Sequence, residues 1–207
     1  MSADLPPGYV LVPVRTTHLE MLRNEVRVAP QPPAGWRVER WLRPAPDAYR
    51  DLFTAVGGEW GWTGSLLMTE HELAELLRDD RVEVWRLLSG DTAAGFVELD
   101  RRVPGEAEIV YFGLLREFIG RGLGGFLLRW TIHHAWTSPA ADDAPGAGAG
   151  AGPTKRMWLH TCEYDHSGAL AVYLKAGFRV FHEESGLEAY PEAHVRRLNS
   201  EAAGTAG

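Results

Sequence analysis

Four glycines within six positions, Gly120, Gly122, Gly124 and Gly125, form the strongest chemical signal in the chain. They sit in EIVYFGLLREFIGRGLGGFLLRWTIHHAW, residues 108–136, where an apolar strand gives way to glycine and then to an apolar-striped helix. Glycine lets a backbone approach a ligand closely and take conformations closed to residues with a Cβ, so several N–H groups can converge on one anion. A helix over 123–136 adds its unpaired first-turn N–H groups and the positive end of its dipole. Arg121 adds a charged donor beside them. This is the chemistry of gripping a phosphate, and a diphosphate fits such a nest. The bland alternative is a tight turn that brings the helix close to the sheet.

The run also satisfies the dinucleotide pattern GxGxxG through Gly120, Gly122 and Gly125. In a dinucleotide fold the first glycine follows its strand almost directly, whereas residues 115–119 intervene here. The acidic residue expected about 20 positions on falls near Asp142 or Asp143, inside a low-complexity tract. No GxxxxGK[ST] sequence occurs. A nicotinamide-dependent oxidoreductase therefore rests on an accidental match.

The order strand, Ile119-Gly120-Arg121-Gly122-Leu123-Gly124, helix resembles the acetyl-coenzyme A signature Gln/Arg-x-x-Gly-x-Gly/Ala of the GNAT superfamily of N-acetyltransferases. A second segment is similar to that family's C-terminal motif. It comprises a strand over 156–162 (RMWLHTC), a polar corner Glu163-Tyr164-Asp165-His166, a helix end ALAVYLKAGF over 169–178 and a closing strand. The resemblance covers residues 36–185; its one departure is Ile119, where most members carry Gln or Arg. It implies an α/β (α+β) fold: a mixed, strongly twisted sheet with helices on both faces, splayed between the strands of 108–114 and 156–162. It further implies acetyl-coenzyme A as co-substrate, held by the main chain of Phe112, Gly113 and Leu114, by Ile119, Gly120, Arg121, Gly122, Leu123, Gly124 and Gly125, and by Asp165. The activity implied is acetyl transfer to a primary amine of a small molecule, peptide or protein.

Such a transfer sets three demands. The ammonium must lose a proton, the thioester carbonyl gathers negative charge, and the departing thiolate is helped by a proton donor. Tyr173 matches the family's tyrosine, and a phenol with a reference pKa of about 10 can protonate a thiolate; otherwise it packs with Leu170 on its helix. For the base, Glu108 stands eleven positions before Ile119, where some family members place a glutamate. A mirror-symmetric hairpin about Pro104-Gly105 sets Glu108 opposite Arg101 as a cross-strand ion pair, and Glu98 opposite Tyr111 on the other face. Glu98 is the second candidate, because a one-residue slip exchanges the faces. For the acceptor, Glu59, Trp60 and Trp62 combine a carboxylate with aromatic rings that can hold a cation. A non-catalytic acyl-coenzyme A binding module is the alternative to an enzyme.

The elements that position these residues follow from periodicity. Strands are expected over 9–14, 36–44, 82–88, 94–100 and 106–114, and helices over 48–56 and 72–80, the latter opened by a Thr69-x-x-Glu72 capping box. Residues 18–28 read as either a strand or the start of a helix. The chain divides into an N-terminal embellishment (1–35), an acetyltransferase domain (36–199) and a disordered tail (200–207). The Ala/Gly/Pro tract 138–154 cannot build a core and reads as a mobile insertion.

Composition narrows the partners. With 207 residues, 45% hydrophobic and 24% charged, the chain supports one domain. A formal charge of −7 disfavours nonspecific nucleic-acid binding and suits a cationic amine. No apolar run reaches the length of a membrane span and the first residues lack a signal-peptide layout, so a cytoplasmic protein is expected. The single cysteine, Cys162, precludes an internal disulfide and reads as a packed thiol. The histidines lack paired-ligand spacing, which disfavours metal. A C-terminal edge strand could pair across a homodimer.

Overall fold

The computed structural model describes residues 5–138 and 153–204. Its described strands form one sheet: β1 (Tyr9–Met21), β2 (Trp36–Arg40), β3 (Val82–Ser89), β4 (Thr92–Asp100), β5 (Glu106–Leu114), β6 (Arg156–Cys162) and β7 (Arg179–Pro191). They lie in the order β2-β3-β4-β5-β6-β1-β7. Every neighbouring pair is antiparallel except β5 with β6. Helices α1 (Pro46–Gly57), α2 (Gly64–Leu67), α3 (Glu70–Arg78), α4 (Leu123–Thr137), α5 (Ala169–Ala176) and α6 (Glu192–Gly204) cover it.

Alternation along the strands divides the interior between two faces. On one, Leu123, Leu127, Leu128 and Ile132 of α4 pack with Tyr173 of α5 over Leu87, Leu99, Ile109 and Leu159. On the other, Tyr49, Phe53 and Val56 of α1 and Leu73 and Leu77 of α3 cover Val84 and Phe96. The expected capping box at α3 is present. The Glu72 N–H donates to the Thr69 hydroxyl at 3.2 Å, and the Thr69 N–H to the Glu72 carboxylate at 2.8 Å.

Residues 9–21 of the expected N-terminal embellishment belong to the sheet. β1 runs on to Met21, settling 18–21 as strand, and it is inserted between β6 and β7, pairing Thr16 with Cys162 and His18 with both His160 and His182. Both its partners lie more than 130 residues later, so no local pattern announces the pairing. The expected loose tail is helical to Gly204 within α6, and residues 205–207 lie outside the described residues. The expected insertion is narrower than 138–154, because its ends are built in. The Arg101 guanidinium donates to the Ser138 carbonyl at 3.0 Å and to the Thr154 hydroxyl at 3.2 Å, and Thr154 in turn donates to the Ala135 carbonyl at 2.6 Å. Residues 139–152 lie outside the described residues.

Two irregularities shape the centre of the sheet. The parallel ladder between β5 and β6 runs from Glu106↔Arg156 to Ile109↔Leu159 and stops, so the strands part beyond it as expected. Between β4 and β5, Glu98 pairs with Tyr111 but Leu99 pairs with Ile109, which leaves Val110 as the extra residue of a β-bulge. The bulge shifts the register so that Glu108 faces Asp100 rather than Arg101. Glu98 and Glu108 consequently share one face, not opposite faces.

Candidate active site

A cavity of about 620 Å³ occupies the gap between β5 and β6. One wall is residues 109–114 of β5, and the other includes His160 and Cys162 of β6 with Ala169, Val172 and Tyr173 of α5. Ile119, Gly120, Gly122, Gly124 and Gly125 line it too, as do Trp60, Trp62, Thr16, Glu188 and Tyr190. The glycine loop and the tyrosine selected from the sequence therefore open on one space.

The loop has the geometry of an anion cradle. Gly120 and Gly122 hold φ of +80° and +78°, where a side chain costs roughly 1–2 kcal/mol. Gly122 is the N-cap of α4 and no side chain caps that helix, which leaves its first-turn N–H groups available to an anion. A Cβ at Gly120, Gly122 or Gly125 would meet no atom within 4 Å, so the space over the loop is open to a group as bulky as a diphosphate. Two residues of the expected set contribute differently. The Leu123 side chain is core, and Arg121 lies over the Phe118 ring at 5.5 Å without lining the cavity.

Tyr173 is buried, with its ring edge-on to Phe112 and Phe178 at 6.2 and 6.3 Å between centroids. Its hydroxyl has no hydrogen-bond partner among the described residues, and burial, with the nearby Asp165 charge, holds its pKa above the ordinary phenol value. It stays protonated across the physiological range. Asp165 is committed to the fold, accepting from the Thr161 hydroxyl at 2.7 Å, the Cys162 N–H at 3.0 Å and the Trp62 indole at 3.4 Å.

The two glutamates occupy different depths. Glu108 does not line the cavity; its carboxylate lies 4.0 Å from His160, which does. Burial, then the Asp100 and Glu98 charges, push Glu108 up to about 7. Burial alone does most of the same to Glu98, also at about 7, against the Tyr49 hydrogen bond that favours its anion. Glu98 lies behind the wall rather than on it. Glu59 is not in the cavity either, because it is drawn into an ion pair with Arg116. The carboxylates that do line it are Glu188 and Asp165, beside the Trp60 and Trp62 rings.

His160, Tyr111, Tyr190 and Glu188 were not singled out from the sequence. A readable signal existed for His160, which shares the Arg156, Trp158 and Cys162 side of the alternation in RMWLHTC. Burial, and the neighbouring His18, depress its pKa and keep the imidazole neutral. Tyr190 reaches the site only because β7 pairs with β1, and its hydroxyl lies 3.3 Å from Cys162 Sγ. Burial raises the thiol's pKa, in keeping with a packed cysteine. Among the described residues no group of His, Cys, Asp and Glu could hold a metal ion, and no helix is long and apolar enough to cross a membrane.

No sequence-family model matches the chain, and no curated protein matches it. Solved structures do. A GCN5-related N-acetyltransferase from Sphaerobacter thermophilus superposes with a TM-score of 0.58 at 16% identity over 88% of this chain. One from Kribbella flavida gives 0.55 at 14% over 89%, and an acetyltransferase of the GNAT family from Novosphingobium aromaticivorans 0.55 at 14% over 92%. The chain spans 52%, 60% and 71% of those three proteins' lengths. At such identities the likeness is one of fold.

Proposed function

We propose that this chain, which has the fold of the GCN5-related N-acetyltransferases, is itself an acetyltransferase that moves an acetyl group from acetyl-coenzyme A to a primary amine. The observation that carries the reading is the sharing of one cavity by an uncapped glycine N-terminus and a protonated phenol with no hydrogen-bond partner among the described residues. Acetyl-coenzyme A would supply the activated acyl group, its diphosphate on the Gly120–Gly125 loop and its arm along the unpaired edge of β5 at Phe112, Gly113 and Leu114.

Tyr173 is the donor to the departing thiolate. Its low-dielectric setting penalises the phenolate and the thiolate alike, so the proton transfer keeps its direction inside the cavity. Glu188, Asp165, Trp60 and Trp62 favour a cationic acceptor, through charge and through ring faces. Glu108, the base suggested by the sequence, stands outside the cavity lining, 4.0 Å from His160.

Calorimetric titration with acetyl-coenzyme A tests the reading. Saturable binding is expected, with at least a tenfold loss in Gly122→Val, where a β-branched residue at φ +78° must distort the cradle. Thiol release in the presence of primary amines is the second expectation. Failure of the folded protein to bind acetyl-coenzyme A would overturn the proposal, and binding with no transfer to any amine would reduce the chain to a binding module.

A further inference from the structure

The permanent side-chain charges lining the cavity are all negative: the carboxylates of Asp165 and Glu188, with no lysine or arginine among the lining residues. The two acids are not equivalent. Asp165 is committed to the Thr161 hydroxyl, the Cys162 N–H and the Trp62 indole, at 2.7, 3.0 and 3.4 Å. Glu188 accepts one hydrogen bond, from the Thr16 hydroxyl at 3.3 Å, and no cation pairs with it among the described residues. That bond draws the carboxylate toward β1, where Thr16 stands opposite Cys162 of β6 in the ladder. Glu188, Thr16, Cys162 and the gap between β5 and β6 thus follow one another across the sheet, and all three residues line the cavity. Between the acid and the gap this row offers a hydroxyl and a protonated thiol, neither of them charged. Tyr190, two residues beyond Glu188 and so on the same face of β7, lines the cavity beside it.

An unpaired acid in this place does little for a monoamine. The attacking nitrogen must be neutral, and a carboxylate that grips its ammonium stabilises the form that cannot react, so the binding is lost again in the transition state. A charge that persists through the reaction carries no such penalty. We infer that the acceptor bears two cationic nitrogens, as an α,ω-diamine does, and that Glu188 holds the one that does not react. The inference rests on the acetyltransferase reading above and names its substrate class. Strand spacing sets the length: from the carboxylate near β1 to the gap is one to two inter-strand distances, about 5–10 Å, which an extended diamine of about four to six methylenes spans. One end then lies at the thioester beside Tyr173, and the other between Glu188 and the Tyr190 ring, where charge and ring face both favour a cation. The reacting end loses one proton to water, and its nitrogen bonds the acetyl carbon as the carbon–sulfur bond breaks. A second proton leaves that nitrogen and replaces the one Tyr173 gives to the thiolate. The remote end stays an ammonium throughout, which makes Glu188 a specificity residue.

The experiment is acetyl transfer by wild type, Glu188→Gln and Glu188→Asp to putrescine, cadaverine and hexamethylenediamine. Each is compared with the monoamine and the amino alcohol of the same chain length, at saturating acetyl-coenzyme A. Wild type should favour every diamine over its neutral-tailed counterparts by roughly tenfold in kcat/KM, carried mainly by KM, as a charged hydrogen bond at a partly exposed site gives. Glu188→Gln should bring that ratio to within about twofold of unity, and Glu188→Asp should hold an intermediate ratio. General damage to the site lowers all acceptors together and leaves the ratio standing. The amino alcohols test the charge in the wild type alone, with no variant to fold. A wild-type ratio near unity, or a preference that survives in Glu188→Gln, overturns the inference and leaves the acetyltransferase in place. Acetyl-coenzyme A binding without transfer to diamines, monoamines or amino alcohols overturns the acetyltransferase reading, and the diamine site falls with it.

Discussion

Removing the Tyr173 hydroxyl separates chemistry from stability more cleanly than any other change in the molecule. In Tyr173→Phe the ring keeps its contacts with Phe112 and Phe178. The lost hydroxyl has no partner among the described residues, so no donor or acceptor there is stranded. The melting temperature should stay within about 2 °C of wild type, since 1 kcal/mol is worth roughly 2–4 °C in a chain of this size. Loss of a general acid lowers the rate by roughly 10²–10⁴, or about 3–5 kcal/mol in the barrier. Thiol release under saturating acetyl-coenzyme A, followed with a chromogenic disulfide, should show that fall in kcat while calorimetry gives an unchanged Kd for acetyl-coenzyme A. Unchanged turnover would refute the assignment of Tyr173 to the chemistry. A fall in melting temperature of 8 °C or more would refute the claim that its hydroxyl is structurally idle.

Other expectations follow from buried charge. Arg101→Met takes the buried guanidinium from Glu83, 3.4 Å away, which keeps His134 at 2.7 Å and the Trp85 indole at 2.8 Å; the loss should cost about 1–3 kcal/mol. It also frees the clip holding Ser138 to Thr154, so thermal melts should fall by roughly 2–12 °C. Glu98→Gln should stabilise the protein at high pH. The folded pKa of Glu98 lies above its ordinary 4.5, so its contribution to stability is fully present below 4.5 and is lost as pH rises through about 7. At 1.36 kcal/mol per pH unit the difference is ~3 kcal/mol at pH 8 as an upper bound. Chemical denaturation of wild type and variant should diverge from pH 5 to pH 8, and parallel curves would contradict the buried setting of Glu98.

The glycine side of the cavity was legible in the sequence because its determinants are local. The glycines, the helix they open and the following strand are contiguous, and their backbone conformations follow from residue type. The capping box of α3 was readable for the same reason. What the sequence hid is non-local. β1 looks like a leader strand until β6 and β7 close around it, and with them come His160, Glu188 and Tyr190. Glu59 had the right neighbours in Trp60 and Trp62, but its carboxylate is taken by Arg116, 57 residues on.

The bulge at Val110 had no sequence signature, and it decides how the acids are arranged. Under strict alternation, Ala107, Ile109 and Tyr111 would share a face. With one residue added, Phe112 and Leu114 join Ala107 and Ile109 over α4, while Tyr111 turns to the α1 face with Glu98. Three carboxylates, Glu98, Asp100 and Glu108, thereby come onto one face, and each raises the proton affinity of a neighbour. The same residue ends regular pairing where β5 and β6 separate, so the irregularity that exposes the β5 main chain to the cavity also gathers the acids beside it. A variant that restores plain pairing by deleting Val110 should therefore lose acetyl-coenzyme A binding and the near-neutral glutamate titrations together, the latter read by carboxyl carbon NMR. Retention of either without the other would show that the cavity and the acid cluster are built independently.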